Sequence, residues 1–258
     1  MEEKKSNKTL TWILGILVGV LLIAVIVLAV NAFAQDEEPP VAEVPEEIPP
    51  TELPPSGPTP TPIPGDPEQE LGRPDGRDDF STENNWTLFD SDCFKSEIVD
   101  QQYVMTAKGV AGYSCWEVSW PSVQDYYLQT NLIMPDTCIA DDRFGLFIRT
   151  PDLKQGYLVG LTCDGRLVMT RWDGEETHVM VNFVSDPIVN TEPGSVNRLG
   201  VIANEANYAL YVNGKLLGEA TDASFVDEMR FGYFVRAASE EPFVVKFDDM
   251  AIWLIEEE

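Results

Sequence analysis

The side chains of this chain that could do chemistry are four cysteines, one histidine and a large excess of carboxylates. The cysteines are Cys93, Cys115, Cys138 and Cys163, with more than 20 residues between each and the next. No CxxC pair exists, so the close ligand pairs of a structural zinc site are missing. A Cys–His nucleophile would have to use His178, and nothing in the sequence places that residue beside a thiol. An even count in an exported protein points instead to two disulfides. Three pairings are formally open. The sequential one, Cys93–Cys115 and Cys138–Cys163, closes short loops and joins segments expected to be neighbouring strands. Among the acids, Asp141-Asp142, Glu240-Glu241 and Asp248-Asp249 are adjacent pairs. Neighbours on a strand point to opposite faces, so none of these is a ready acid/base dyad. Asp136, Asp141 and Asp142 gather around Cys138 and could offer oxygens to calcium. No Asp-x-Asp-x-Asp-Gly loop is present, and solvating the loop is their expected role. There is no GxSxG elbow, no glycine-rich phosphate loop and no HExxH helix. These residues call for no cofactor and no metal.

The chain that must position them has 258 residues and a formal charge of −27, from 44 acidic and 17 basic side chains. Such a surface repels phosphate backbones, so nucleic acid is not an expected partner. From Thr9 to Gln35 there is no charged residue, a run long enough to cross a bilayer as a helix. Lys4, Lys5 and Lys8 precede it, and Asp36, Glu37 and Glu38 follow, which orients the remainder outward. The expected plan is a cytoplasmic tail (1–9), a transmembrane signal anchor (10–34), a Pro/Glu-rich linker (35–79) and a globular domain (80–258). The expected location is the cell membrane, single-pass, with the C-terminal domain outside. Ala32-Phe33-Ala34 also resembles a signal-peptidase site, so secretion after cleavage is the alternative. The linker combines prolines and acids with almost no aromatics. It cannot bury a core, and proline biases it to polyproline II. A disordered, semi-rigid stalk reaching on the order of 100 Å is expected.

From Phe80 onward short alternating runs lie between turn signals, which argues for an all-β domain. "DYYLQTNLIM" sets Tyr126, Leu128, Thr130 and Leu132 against Tyr127, Gln129 and Asn131. "RFGLFIR" sets Phe144, Leu146 and Ile148 against Phe147 and Arg149. Arg236 is likewise opposed to Phe231, Tyr233 and Val235. Asn213-Gly214 is a two-residue hairpin signal, and Asp164-Gly165 and Asp173-Gly174 mark further turns. About a dozen strands suit a two-sheet sandwich or jelly roll.

The succession "RFGLFIRTPDLKQGYLVGLTCDGRLVMTRWDG", "NRLGVIANEANYALYVNGKLLGEA", "RFGYFVRAA" and "VVKFDDMAIW" resembles the concanavalin A-like lectin/glucanase superfamily. It is most similar to the laminin-G-like and 3-keto-disaccharide hydrolase-like (DUF1080) branch, over roughly Phe80 to Trp253. The resemblance implies a jelly-roll β-sandwich whose concave face or edge loops bind glycans. The superfamily spans lectins, hydrolases and adhesion modules, so no reaction is implied. The Glu-x-Asp-x-x-Glu strand of its laminarinase-like members is absent. Sugars are gripped by aromatic rings and by planar polar groups. Strand parity nominates Tyr127, Gln129, Asn131, Arg149 and Arg236 for that role, with Trp172 as an edge platform. The competing structural reading makes Trp116, Trp120 and Trp253 core or sheet-edge packing, and pairs Arg149 with Asp248 inside the sheet. The expected function is noncatalytic binding of an extracellular glycan or cell-envelope polymer. The alternatives are a structural or sensory ectodomain and a sugar hydrolase.

Overall fold

Alternation of apolar and polar residues builds fourteen strands in the computed structural model, which describes residues 63–227 and 229–255. The tail, the apolar span 10–34 and the linker as far as residue 62 lie outside the described residues, as does the side chain of Trp120. Among the described residues, no helix is long and apolar enough to cross a membrane. The strands are β1 (Gly76–Asp78), β2 (Phe94–Val99), β3 (Gln102–Ala107), β4 (Ser114–Val123) and β5 (Tyr126–Ile133). Then come β6 (Arg143–Thr150), β7 (Gly156–Thr162), β8 (Arg166–Trp172), β9 (Thr177–Ser185) and β10 (Val196–Asn204). β11 (Asn207–Val212), β12 (Lys215–Thr221), β13 (Met229–Arg236) and β14 (Phe243–Leu254) complete the set.

They form two antiparallel sheets. One runs β12-β11-β10-β5-β14-β3-β2, with β1 also on β14; the other runs β4-β13-β6-β7-β8-β9. The architecture is an all-β jelly-roll sandwich. Tyr126, Leu128 and Leu132 from one sheet and Phe144, Leu146 and Ile148 from the other share its core, as their parity requires. Asn213 and Gly214 both have positive φ, 52° and 82°, so β11 and β12 meet in the tight turn that their dipeptide predicts. Both expected disulfides are present. Cys93–Cys115 ties the start of β2 to β4 in the opposite sheet, and Cys138–Cys163 ties the β5–β6 loop to the β7–β8 turn. With all four sulfurs bonded to one another, none is a free nucleophile or a metal ligand.

The sandwich takes in residues that composition assigns to the linker. Asp66 caps a short helix, α1 (Pro67–Glu70), by accepting from the Glu68 amide at 3.2 Å, and Pro67 opens it. The chain then runs along β14: Trp253 Nε1 donates to the Gly72 carbonyl (2.9 Å), and β1 pairs with Met250–Ile252. Arg198 on β10 holds this segment through Asp66 and Glu68. Phe80 and Trp86 follow it into the core. Proline and acid content describe residues 63–79 poorly because few of them anchor the rest.

Candidate functional site

The six-stranded sheet turns a second apolar layer away from the core. On β8, Leu167 and Met169 enter the core, so Val168, Thr170 and Trp172 face outward. The same parity puts Leu158 of β7, Phe147 of β6 and Phe234 of β13 on that outer face, where they are buried against one another. A glycine makes this layer flat. A Cβ on Gly160 would stand 2.8 Å from Phe234 Cζ, so only hydrogen lets the ring lie down on the sheet. Trp116 of β4 stacks on Phe147 at 4.7 Å with 25° between the planes. Its Nε1 donates to the Leu153 carbonyl at 2.9 Å, which fixes the indole and satisfies its one donor.

Above this floor lies a cleft of about 490 Å³. Trp116, Leu158, Trp172 and Phe234 line its base, Val179 and Phe183 of β9 form one wall, and Tyr113, 67% exposed, stands at the lip. Thr170 and Thr177 add hydroxyls. Arg143 and Arg236 line it as well, and they are direct partners across β6 and β13. The guanidinium of Arg143 lies 4.7 Å over the Phe183 ring, as does that of Arg166. Burial, and then the neighbouring Arg236 charge, hold Arg143 below the usual arginine range. The lining contains no carboxylate.

The structure divides the sequence-predicted site. Trp172 and Arg236 stand together in the cleft. Tyr127, Gln129 and Asn131 face outward from the other sheet, on the opposite side of the sandwich. Tyr127 is wholly buried there against Trp253 and Tyr211, and its hydroxyl donates to Gln129 Oε1 at 2.9 Å. Gln129 is buried too, and Asn131 donates weakly to Asp249 at 3.3 Å. Arg149 is the clearest correction. It follows the outward parity of β6, yet its φ of 53° swings the side chain into the end of the sandwich, where it is completely buried. Its partner is Asp125 at 2.8 Å, not Asp248, and it also donates to the Val226 carbonyl at 2.9 Å. Tyr127 and Arg149 are both fully buried.

The tryptophans follow the core-or-edge reading: Trp253 is buried against Tyr127, and Trp116, on the edge strand β4, packs on the outer layer and so also floors the cleft. The cleft residues that sequence reasoning missed, Trp116, Arg143, Phe183 and Phe234, include two reachable by parity. Phe234 and Arg236 alternate with Tyr233 and Val235, and Trp116 alternates with Cys115. Register shifts in β9 hide Phe183 from any period-two count.

Of the carboxylates near Cys138, Asp142 holds backbone. Asp142 is buried, and its side chain accepts from the amides of Ile139 (2.9 Å) and Ala238 (2.8 Å), which replaces the loop-solvating role expected of it. Asp141 pairs with Arg166 at 2.8 Å. Among the described residues, no group of three or more His, Cys, Asp or Glu is arranged to hold a metal ion. His178 pairs with Asp173 at 2.6 Å beside the β8–β9 turn. One carboxyl does stand out: burial pushes Glu117, on the inward side of β4, up to about 7.

No family model matches the sequence, and no curated protein matches it significantly. Solved structures match the fold. The carbohydrate-binding module CBM66 from Bacillus subtilis aligns with a TM-score of 0.54 at 17% identity, over 66% of this chain and 96% of that one. The beta-glucanase of Bacillus licheniformis aligns at 0.51 and 10%, over 70% of this chain and 98% of that one. The GH43 BlXynB protein from Bacillus licheniformis aligns at 0.53 and 14%, over 69% of this chain and 39% of that one. This chain therefore has a concanavalin A-like jelly-roll fold. At such identities the likeness establishes architecture, and chemistry has to be argued from the residues.

Proposed function

We propose that this protein is a binding module that holds carbohydrate in the cleft of its six-stranded sheet without cleaving it. The observation that carries this reading is the lining of that cleft: indole and phenyl rings below, hydroxyls and guanidiniums beside them, and no carboxylate. Rings of this kind receive the C–H faces of sugars, while the polar groups orient hydroxyls. A volume of about 490 Å³ suits a short oligosaccharide segment. Glycoside hydrolysis needs two carboxylates flanking the scissile bond, which this lining does not supply. One structural neighbour is itself described as a carbohydrate-binding module, which is in keeping with this reading.

We further propose surface display. The apolar span 10–34 serves as a retained anchor, and the proline-rich stretch up to residue 62 serves as a spacer. The chain joins the sandwich across the outer face of the eight-stranded sheet, on the side opposite the cleft. Resistance of the full chain to alkaline carbonate extraction from membranes is the expected result, and release would favour cleavage and secretion.

The binding test is a glycan array probed with the full chain, followed by titration of the hits. Trp172→Ala removes a half-buried ring that lines the cleft and should weaken binding by about 2 kcal/mol, roughly thirtyfold. Tyr127→Phe, on the covered face, should leave affinity unchanged. A chain that binds no glycan would instead be a structural ectodomain, and one that releases reducing ends would be a hydrolase.

A further inference from the structure

The geometry points to a ligand that carries an oxyanion, a carboxylate or a sulfate ester, held by Arg143 and Arg236 beside the aromatic floor. This rests on the carbohydrate reading and names the class of glycan. The first ground is charge pairing. The protein carries 44 acidic side chains against 17 basic ones, so partners for arginine abound. Arg149, Arg166, Arg171 and Arg198 all take them, with Asp125, Asp141, Asp222 and Asp66. Among the described residues, Arg143 and Arg236 form no ion pair, and unlike Arg73 and Arg77, which are also without one, they are not exposed on the surface but line a cleft. Both line the aromatic cleft, whose other lining residues are uncharged.

The second ground is their placement. Their backbones are cross-strand partners and both side chains line the cleft, and the charge of Arg236 acts on Arg143. Like charges directly opposite on a sheet destabilise it. Burial, the Arg236 charge and, more weakly, the Arg166 charge work against the charge on Arg143, with Asp141 favouring it. An anion between the two guanidiniums would remove that conflict. The third ground is preorganisation. Arg143 is braced against the Phe183 ring, and its buried Nε donor has no acceptor. A guanidinium fixed in this way offers its planar fork to a carboxylate or sulfate at little further entropic cost. Trp116, Trp172 and Phe234 line the same cleft, so one acidic sugar residue, or a neutral ring with an acidic neighbour, could use both features. The strongly negative surface elsewhere would repel polyanions at long range, which makes the cleft the place where such a ligand is held.

The test uses the full chain and three oligosaccharide sets matched in length and linkage: neutral, uronate-containing and sulfated. Calorimetric titration at low and high salt should give at least about tenfold tighter binding for one acidic set, declining with salt. Whichever acidic set prevails identifies the oxyanion. The Arg143→Gln, Arg236→Gln double variant should abolish that preference, leaving the acidic sets bound no more tightly than the neutral one. Its melting temperature should equal or exceed that of the parent, because a repulsion is removed. Equal or weaker binding of both acidic sets would overturn the inference and leave sugar binding standing. Retention of the preference by a folded double variant would overturn it equally. Binding of none of the three sets would defeat the carbohydrate reading itself.

Discussion

Glu117 offers a prediction whose size follows from the structure. It sits on β4 between Trp116 and Val118, with its side chain turned toward the sandwich interior and only 9% exposed. Burial raises its pKa from 4.5 to about 7, and a hydrogen bond of 3.1 Å from the Val118 amide opposes the rise without cancelling it. A carboxyl with a raised folded-state pKa binds its proton more tightly folded than unfolded. Stability is therefore full below about pH 4.5 and falls as the pH rises toward 7, where the folded form finally ionises. At about 1.4 kcal/mol per pH unit, the loss amounts to about 3 kcal/mol. Glu117→Gln keeps the shape and an acceptor for Val118 but cannot ionise. The variant should match the parent near pH 4 and exceed it by about 3 kcal/mol near pH 8. For a domain of this size that corresponds to roughly 6–12 °C in melting temperature. Calorimetric melts at a series of pH values are the assay. If the two proteins melt in parallel from pH 4 to pH 8, the Glu117 carboxylate is solvated and the argument fails.

Three further outcomes are expected. Replacing either cysteine pair by alanine frees a loop, with sequence separations of 22 and 25 residues, and should lower stability by about 3.5 kcal/mol each in guanidinium unfolding; no loss would mean that the bridges do not constrain the unfolded chain. Asp125→Ala strands the buried guanidinium of Arg149 and should cost about 3–5 kcal/mol, whereas adding Arg149→Met should recover part of it; a double variant worse than the single would contradict the pairing. Asp66→Ala loosens the hold of Arg198 on residues 63–75, so amide exchange there should quicken and Trp253 fluorescence should shift to the red, with binding in the cleft unaltered.

Strand order along the chain, the hairpin at Asn213-Gly214 and both disulfide partners were legible in the residues themselves, because each depends on local backbone preference or on short loops. Alternation also told correctly that Tyr127 and Phe147 point away from the core. What alternation cannot tell is what lies on the far side of a strand. Tyr127 is sealed by Trp253 and by a segment whose anchor, Gly72, lies 181 residues from that tryptophan. Phe147 instead floors an open cleft. Arg149 departs from its strand's parity through a single positive φ that holds it against loops from three other parts of the chain. The cleft gathers side chains from β4, β6, β7, β8, β9 and β13, and no interval in the sequence links them. The sequence by itself determined which residues share a face along each strand, because a side-chain period of two is a property of the local backbone. Only the tertiary structure decided which face is covered and which is open, because that depends on contacts between residues far apart along the chain.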